Sequence, residues 1–496
     1  MRLTHPHFSW INTVAFSERM CYNIGILTDY YRNGPFIMNR SAIKDFTKGN
    51  ITKQLVLFSL PLFLSNLLQV VYNMVDMIVV GRELGEIGIS AVSIGGDVTN
   101  FMTFIAIGFA NAGQVLIAKY VGAKRRNRIG TFVGTMCGFL VVAATVVSAV
   151  SLLLRHQFLS WMRTPAESYE GAMQYSVISM VGLVFIYGYN AVGAILRGMG
   201  DSKTPFVFIS VAAVLNVVLD ILFVTEMEMG AGGAALATVI SQAVSFLLCT
   251  CYLIWKRASF ELDLRVRDFV KWDGECLSEL VKLGTPMAIK MASVQFSKLF
   301  VNSWINGYGT TVSAFAGIAN KISNISNLIS AAMNTAGSTM VGQNLAAREY
   351  GRVNRILLNL TVITVSISAL MSVMFCLFPE EILGIFMREE EGADVLAIGM
   401  KYIPIGVLLF FGSALRAIMN ALLNGSGNYR INFVTAILDG IVMRIGLALL
   451  FGLAFGMQHY GFWLGDALAG FTPFWVGLVF YLSGRWKSDV PEKEHK

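Results

Sequence analysis

Two aspartates sit in stretches that otherwise read as the inside of a membrane: Asp76 in VYNMVDMIVVG (71–81) and Asp220 in NVVLDILF (216–223). Charged side chains are rare at such depth and by default mark ion or substrate pathways. Asn216 precedes Asp220 by four residues, so the two share one face of a helix. Thr238 follows in GAGGAALATVISQ (230–242). With helices ending near Val80 and Thr225 and another beginning near Gly233, the spacing predicts Asp76, Asp220 and Thr238 about one turn, roughly 7 Å, below the outer surface, with Asn216 one turn deeper. Two carboxylates, an amide and a hydroxyl in one layer can hold a proton, because desolvation and a second carboxylate both disfavour ionisation. Their hard oxygens can equally hold Na⁺. The competing reading makes Asp76 and Asp220 interfacial residues facing external water.

The elements that must position these groups are membrane helices. The chain has 496 residues, of which 55% are hydrophobic and only 14% charged, which excludes an ordinary soluble protein. Apolar runs long enough to cross a bilayer recur along it. Twelve spans are expected: 54–80, 90–117, 130–154, 173–196, 204–225, 233–255, 283–306, 313–340, 356–378, 396–422, 431–455 and 462–483. Of the 38 Lys and Arg, 28 then fall on one side, and only Arg82, Arg155, Arg163 and Arg388 on the other. By the positive-inside rule both termini are cytoplasmic, in a multi-pass protein of the plasma (inner) membrane. The net charge of +7 follows from the same bias and does not imply nucleic acid. The histidines fall in tails or loops and the cysteines show neither metal spacing nor a disulfide framework, so no metal is expected beyond Na⁺.

The charged segment 256–282 divides the chain into two halves that echo each other. FSLPLFL (58–64) parallels LGTPMAI (283–289), AKYVGAKRRNR (118–128) parallels GQNLAAREYGR (342–352), and LRGMGDSKTPF (196–206) parallels LNGSGNYRINF (423–433), all at an offset of about 225 residues. Six spans per half make the repeats parallel, so the fold class is an all-α polytopic membrane protein of two six-helix bundles related by a pseudo-twofold axis along the membrane normal. The expected domains are a cytoplasmic tail (1–49), an N-lobe (50–257), a cytoplasmic linker (258–281), a C-lobe (282–484) and a second tail (485–496). Residues 1–37 read as a disordered tail or as an upstream misreading of the start, because Met38 opens a sufficient lead-in. The second half lacks the acidic set and carries Lys290, Lys298, Lys321, Arg416 and Arg444 with Asp439 and Asp466. Lys298 and Lys321 are read either as lining the interior or as snorkelling and pairing with loop acids and carbonyls.

These motifs resemble the multidrug and toxin extrusion (MATE) family over residues 50 to about 485. LPLFLSNLLQVVYNMVDMIVVGRELG is similar to the family's opening helix, where an aspartate near the outer end couples transport to a cation, and that position is Asp76. The resemblance implies a cation site of Asp76, Asn216, Asp220 and Thr238. One branch of the family places acids in helices 7 and 10. Here those helices carry Gln295, Lys298, Asn302 and Arg416, so coupling through the first lobe alone is expected. Gln69, Asn73, Gln295, Lys298 and Asn302 are the candidate lining of a substrate cavity. The implied function is a secondary antiporter, not an enzyme, exporting amphipathic and often cationic drugs or metabolites in exchange for H⁺ or Na⁺. It needs no cofactor beyond the coupling ion. Its partners are small-molecule substrates and the lipid bilayer, without nucleic acid, and it is expected to work as a monomer. The alternative is a flippase for a lipid-linked or polyprenyl-linked precursor, which the cationic second lobe keeps open.

Overall fold

Asn50 starts the first helix by accepting a hydrogen bond from the Lys53 amide, and that helix, Ile51–Gly122, runs for 72 residues. It is two membrane helices joined at Gly85, whose backbone (φ 62°, ψ −155°) lies where essentially only glycine is comfortable. The computed structural model describes residues 41–386 and 393–487; the expected tail of residues 1–37 lies outside them.

Among the described residues, nine helical segments are long and apolar enough to cross a membrane. The longest is the pair bent at Gly85. Two further long helices, Gly274–Asn306 and Thr310–Ala346, carry too many polar residues to stand out by composition. Together these make twelve membrane-length elements, as the apolar runs predict. Span 1 is 51–84 and span 2 is 86–122. Spans 3 to 6 are Ile129–Leu153, Tyr169–Gly198, Lys203–Asp220 with its extension Ile221–Glu226, and Gly230–Trp255. Spans 7 to 10 are Gly274–Asn306, Thr310–Ala346, Tyr350–Leu377 and Ala393–Ser426. Span 11 begins at Tyr429 and ends at Ala454, and span 12 is Gln458–Ala469 followed by Thr472–Leu482. The linker expected at 258–281 is partly helical, because Asp273 caps the Cys276 amide and starts span 7 nine residues early.

The fifth span of each half is irregular. Wide π-type turns occupy Ile221–Glu226, Leu438–Val442 and Leu450–Ala454. Such insertions leave backbone groups outside the regular ladder and recur at functional sites. The first follows Asp220 directly and the second contains Asp439.

The halves meet at the end of the molecule that carries the basic loops. There Gly122 brings span 2 against the Gln343 backbone of span 8, a contact that leaves no room for a Cβ. Gln114 donates to the Thr339 hydroxyl at 2.7 Å and accepts from Arg197 Nε at 2.9 Å. The segment before span 1 was expected to be tail, but it is a strap. Ala42 and Lys44 donate backbone amides to Ser259 of the linker and Met199 of the first half, and Phe46 donates to Gln343 Oε1 of the second. Arg352 returns hydrogen bonds to the carbonyls of Phe46 and Gly49, and Ile43 and Phe46 are buried. Span 1 itself crosses between the halves. Its basic-end residues Leu55, Phe58 and Leu62 join an apolar cluster with Ala336, Leu360 and Leu422, while Val80 joins one with Ala91, Tyr175 and Val224.

Candidate functional site

Three helices each bring a pair of polar residues four positions apart, one turn on the same face. Span 1 gives Tyr72 and Asp76, span 5 gives Asn216 and Asp220, and span 6 gives Thr238 and Gln242. These faces converge. Asn216 Nδ2 donates to Thr238 Oγ1 at 3.5 Å. Asp76 lies within electrostatic reach of Asp220, and Tyr175 of span 4 is close to both. Tyr72, Asn216, Thr238, Ser241 and Gln242 line a cavity of about 190 Å³ together with Ile209 and Ala212.

Asp76, Asn216 and Asp220 are all buried, and Asp220 is completely so. Among the described residues, no group donates a hydrogen bond to Asp76 Oδ1, to Asn216 Oδ1 or to either carboxylate oxygen of Asp220. Buried acceptors are normally satisfied, so four orphans in one place call for an explanation. The interfacial alternative does not account for them, since none of these three side chains faces open solvent. The helices run beyond the expected span ends. Span 1 continues past Val80 to Leu84, span 5 continues to Glu226, and span 6 begins at Gly230 rather than Gly233. Asp76 and Thr238 are therefore each about 12 Å along the helix from its end, nearer two turns than one.

The structure brings the four sequence-derived residues together. It adds Tyr72, Tyr175, Ser241 and Gln242, which sequence reasoning passed over. The four-residue spacing of Tyr72 to Asp76 and of Thr238 to Gln242 was the available signal. For Tyr175 there was none, because its place depends on Gly95, whose missing side chain leaves room for the Tyr175 ring.

The candidate substrate residues differ in their exposure. Gln69 is half-buried, and Asn73 and Gln295 are exposed. Lys298 and Asn302 line a separate cavity of about 380 Å³ in the second half, with Tyr402, Trp463 and Asp466. Lys298 does not snorkel or pair with a loop acid; the nearest opposing charge is Asp466 of span 12. Around it, Arg444 bridges Asp466 and Asp439, the latter at 3.2 Å, and Arg416 lies 3.7 Å from Asp439. Lys290 donates to Asn420 Oδ1 at 2.6 Å. Lys321 is exposed.

A family model described as MatE matches residues 61–222 and 286–458, once in each half. The chain is 28% identical over 444 residues to the probable multidrug resistance protein YpnP of Bacillus subtilis, covering 90% of this chain and 98% of that one. It is 29% identical over 445 residues to YoeA of the same organism, also named a probable multidrug resistance protein, covering 89% and 95%. Among solved structures it superposes on a MOP superfamily transporter from Pyrococcus furiosus, described as having a binding pocket of reverse polarity, with TM-score 0.81 at 22% identity, covering 89% and 96%. A MATE family transporter in an outward-facing conformation gives TM-score 0.81 at 22% identity, covering 90% and 98%.

Proposed function

Because the chain belongs to the MATE family and is a multi-pass membrane transporter rather than an enzyme, we propose that it is a secondary antiporter that exports amphipathic, often cationic small molecules in exchange for H⁺ or Na⁺. Asp76, Asn216, Asp220 and Thr238 form its coupling site. The observation that carries this reading is the set of orphaned oxygens at Asp76, Asn216 and Asp220. A charged, unpaired carboxylate at membrane depth costs roughly 3 kcal/mol on insertion scales. A proton removes that cost, and so does Na⁺ held by the same oxygens.

Loading changes the charge of the pocket, and the pocket is built on helices that also bind the halves together. Span 1 carries Asp76 in the first half while its basic-end residues pack into the second. A change in how the Asp76 region packs is thereby passed to the contact between halves, which biases the side to which the central cleft opens. Cation and substrate need not share ligands; each need only favour a different state. In this scheme the basic end faces the cytoplasm, the protein works as a monomer, and the breadth of substrate follows that named for the Bacillus relatives. The test is ethidium efflux from proteoliposomes with a pH gradient and a Na⁺ gradient imposed separately. Efflux driven by one or both is expected; efflux indifferent to both overturns the antiport reading.

A further inference from the structure

The second half contains a counterpart of the first half's site in which cations outnumber carboxylates. Tyr402 stands 227 positions after Tyr175, close to the offset of the repeat; Tyr402 lines the second-half cavity, and Tyr175 lies close to Asp76 and Asp220 in the first half. Asp76 corresponds to Asn302 or Val301, both of which line the second cavity. Where the first site has two carboxylates, this one has Lys298 one turn before Asn302.

The charges here do not balance. Asp439 and Asp466 are both engaged by Arg444, whose side chain is almost fully buried between them. That leaves Arg416 and Lys298. Arg416 has a 3.7 Å approach to Asp439 and a long 3.4 Å hydrogen bond to the Gly470 carbonyl, against five N–H donors. Lys298 makes no hydrogen bond among the described residues and faces Asp466 only at electrostatic range. Both line a cavity of about 280 Å³ with Ser323, Asn327 and Ser413, and it shares Lys298, Ser323 and Asp466 with the 380 Å³ cavity beside it. Two under-coordinated cations and neutral hydroxyl and amide donors at membrane depth suit an anion, which would supply the missing negative charge.

We infer that this second-half cavity is a binding site for the acidic group, a carboxylate, sulfonate or phosphate, of an amphipathic molecule, held by Lys298 and Arg416. The inference deepens the antiport reading by naming a class of substrate, and it rests on that reading only for the claim that the bound molecule is exported.

The binding itself is testable without a gradient. Dansylglycine and dansylamide share a fluorophore and differ in the carboxylate. With the full chain in phosphatidylcholine nanodiscs, dansylglycine binds saturably and dansylamide at least about tenfold more weakly, as expected when one charge-assisted contact is lost. Lys298→Met and Arg416→Gln each weaken dansylglycine about tenfold, whereas Lys298→Arg retains it, and thermal unfolding of each variant verifies the fold. Repeating the titration in phosphatidylglycerol nanodiscs separates sources of the anion: competition there identifies a lipid headgroup, and unchanged binding identifies a soluble acid. Equal affinity for the two dansyl probes, or wild-type affinity in Lys298→Met, overturns the site. Loss of gradient-driven ethidium efflux with dansylglycine binding intact instead defeats antiport and leaves the anion site standing.

Discussion

Gln114 donates its side-chain amide to the Thr339 hydroxyl at 2.7 Å, and the two residues are 225 positions apart. That separation is the offset of the internal repeat, so the partners occupy equivalent places in the two halves. Equivalent residues can touch each other only near the axis that relates the halves. Ala118 and Gly342, 224 apart, approach in the same way one turn further along span 2. The contact between halves at the basic end is therefore built on the axis itself, where a small rotation of one half against the other is felt first.

Gln114→Ala tests this closure. It removes the donor to Thr339 and the acceptor for Arg197 Nε at once. A buried polar group left without a partner costs about 1–3 kcal/mol, and that cost falls on the state in which the basic end is closed. A cysteine replacing Ala118, buried against Gly342, is expected to react faster with a water-soluble maleimide in the Gln114→Ala background. Unchanged labelling would mean that apolar packing alone holds this end together.

Gly85→Ala should destabilise through the backbone alone. Nothing lies within 4 Å of the position a Cβ would take, so the loss comes from the φ of 62° with ψ near −155°. The expected cost is about 1–3 kcal/mol, read as a lower thermal unfolding temperature. Gly96→Ala is the control: it too has open space around it, and no left-handed φ. Equal melting of the two variants would show that the bend between spans 1 and 2 relaxes without cost.

Arg444→Met should be among the most damaging single changes in the second half. It leaves the Asp439 carboxylate, which is 1% exposed, with only the 3.7 Å approach of Arg416, and frees Asp466. Breaking one partner out of a buried network costs roughly 3–5 kcal/mol. Little folded protein is expected, with partial recovery in Arg444→Met combined with Asp439→Asn, measured as monodisperse yield in detergent. If Arg444→Met alone accumulates and melts like wild type, the network is not a structural clamp. Asp466→Asn, by the same logic, weakens stability rather than coupling.

Most of the helical framework was legible because membrane spans announce themselves by composition. Spans 7 and 8 were the faintest by composition, since Lys290, Lys298, Asn320 and Lys321 dilute their apolar signal. The end of span 1 was placed too early, because the helix runs on through Arg82 and Glu83 to the bend at Gly85. The strap was invisible for a different reason. Residues 42–49 are short and polar, and their partners, Gln343 and Arg352, are some 300 positions away. Of the proposed coupling site, the acids stood out as charges in apolar runs. The aromatic and amide wall did not, because Tyr and Gln at helical spacing also serve ordinary packing.

The most direct measurement of the central claim is gradient-driven ethidium efflux from proteoliposomes containing Asp76→Asn. The substitution keeps size and hydrogen-bonding capacity while removing the titratable charge, so insertion and thermal stability should match or exceed wild type. Efflux driven by the coupling gradient should fall to the level of empty liposomes, and Asp220→Asn should behave alike. Efflux at the wild-type rate from Asp76→Asn vesicles would contradict the account, placing the coupling site elsewhere and leaving the acidic layer a structural feature of the first half.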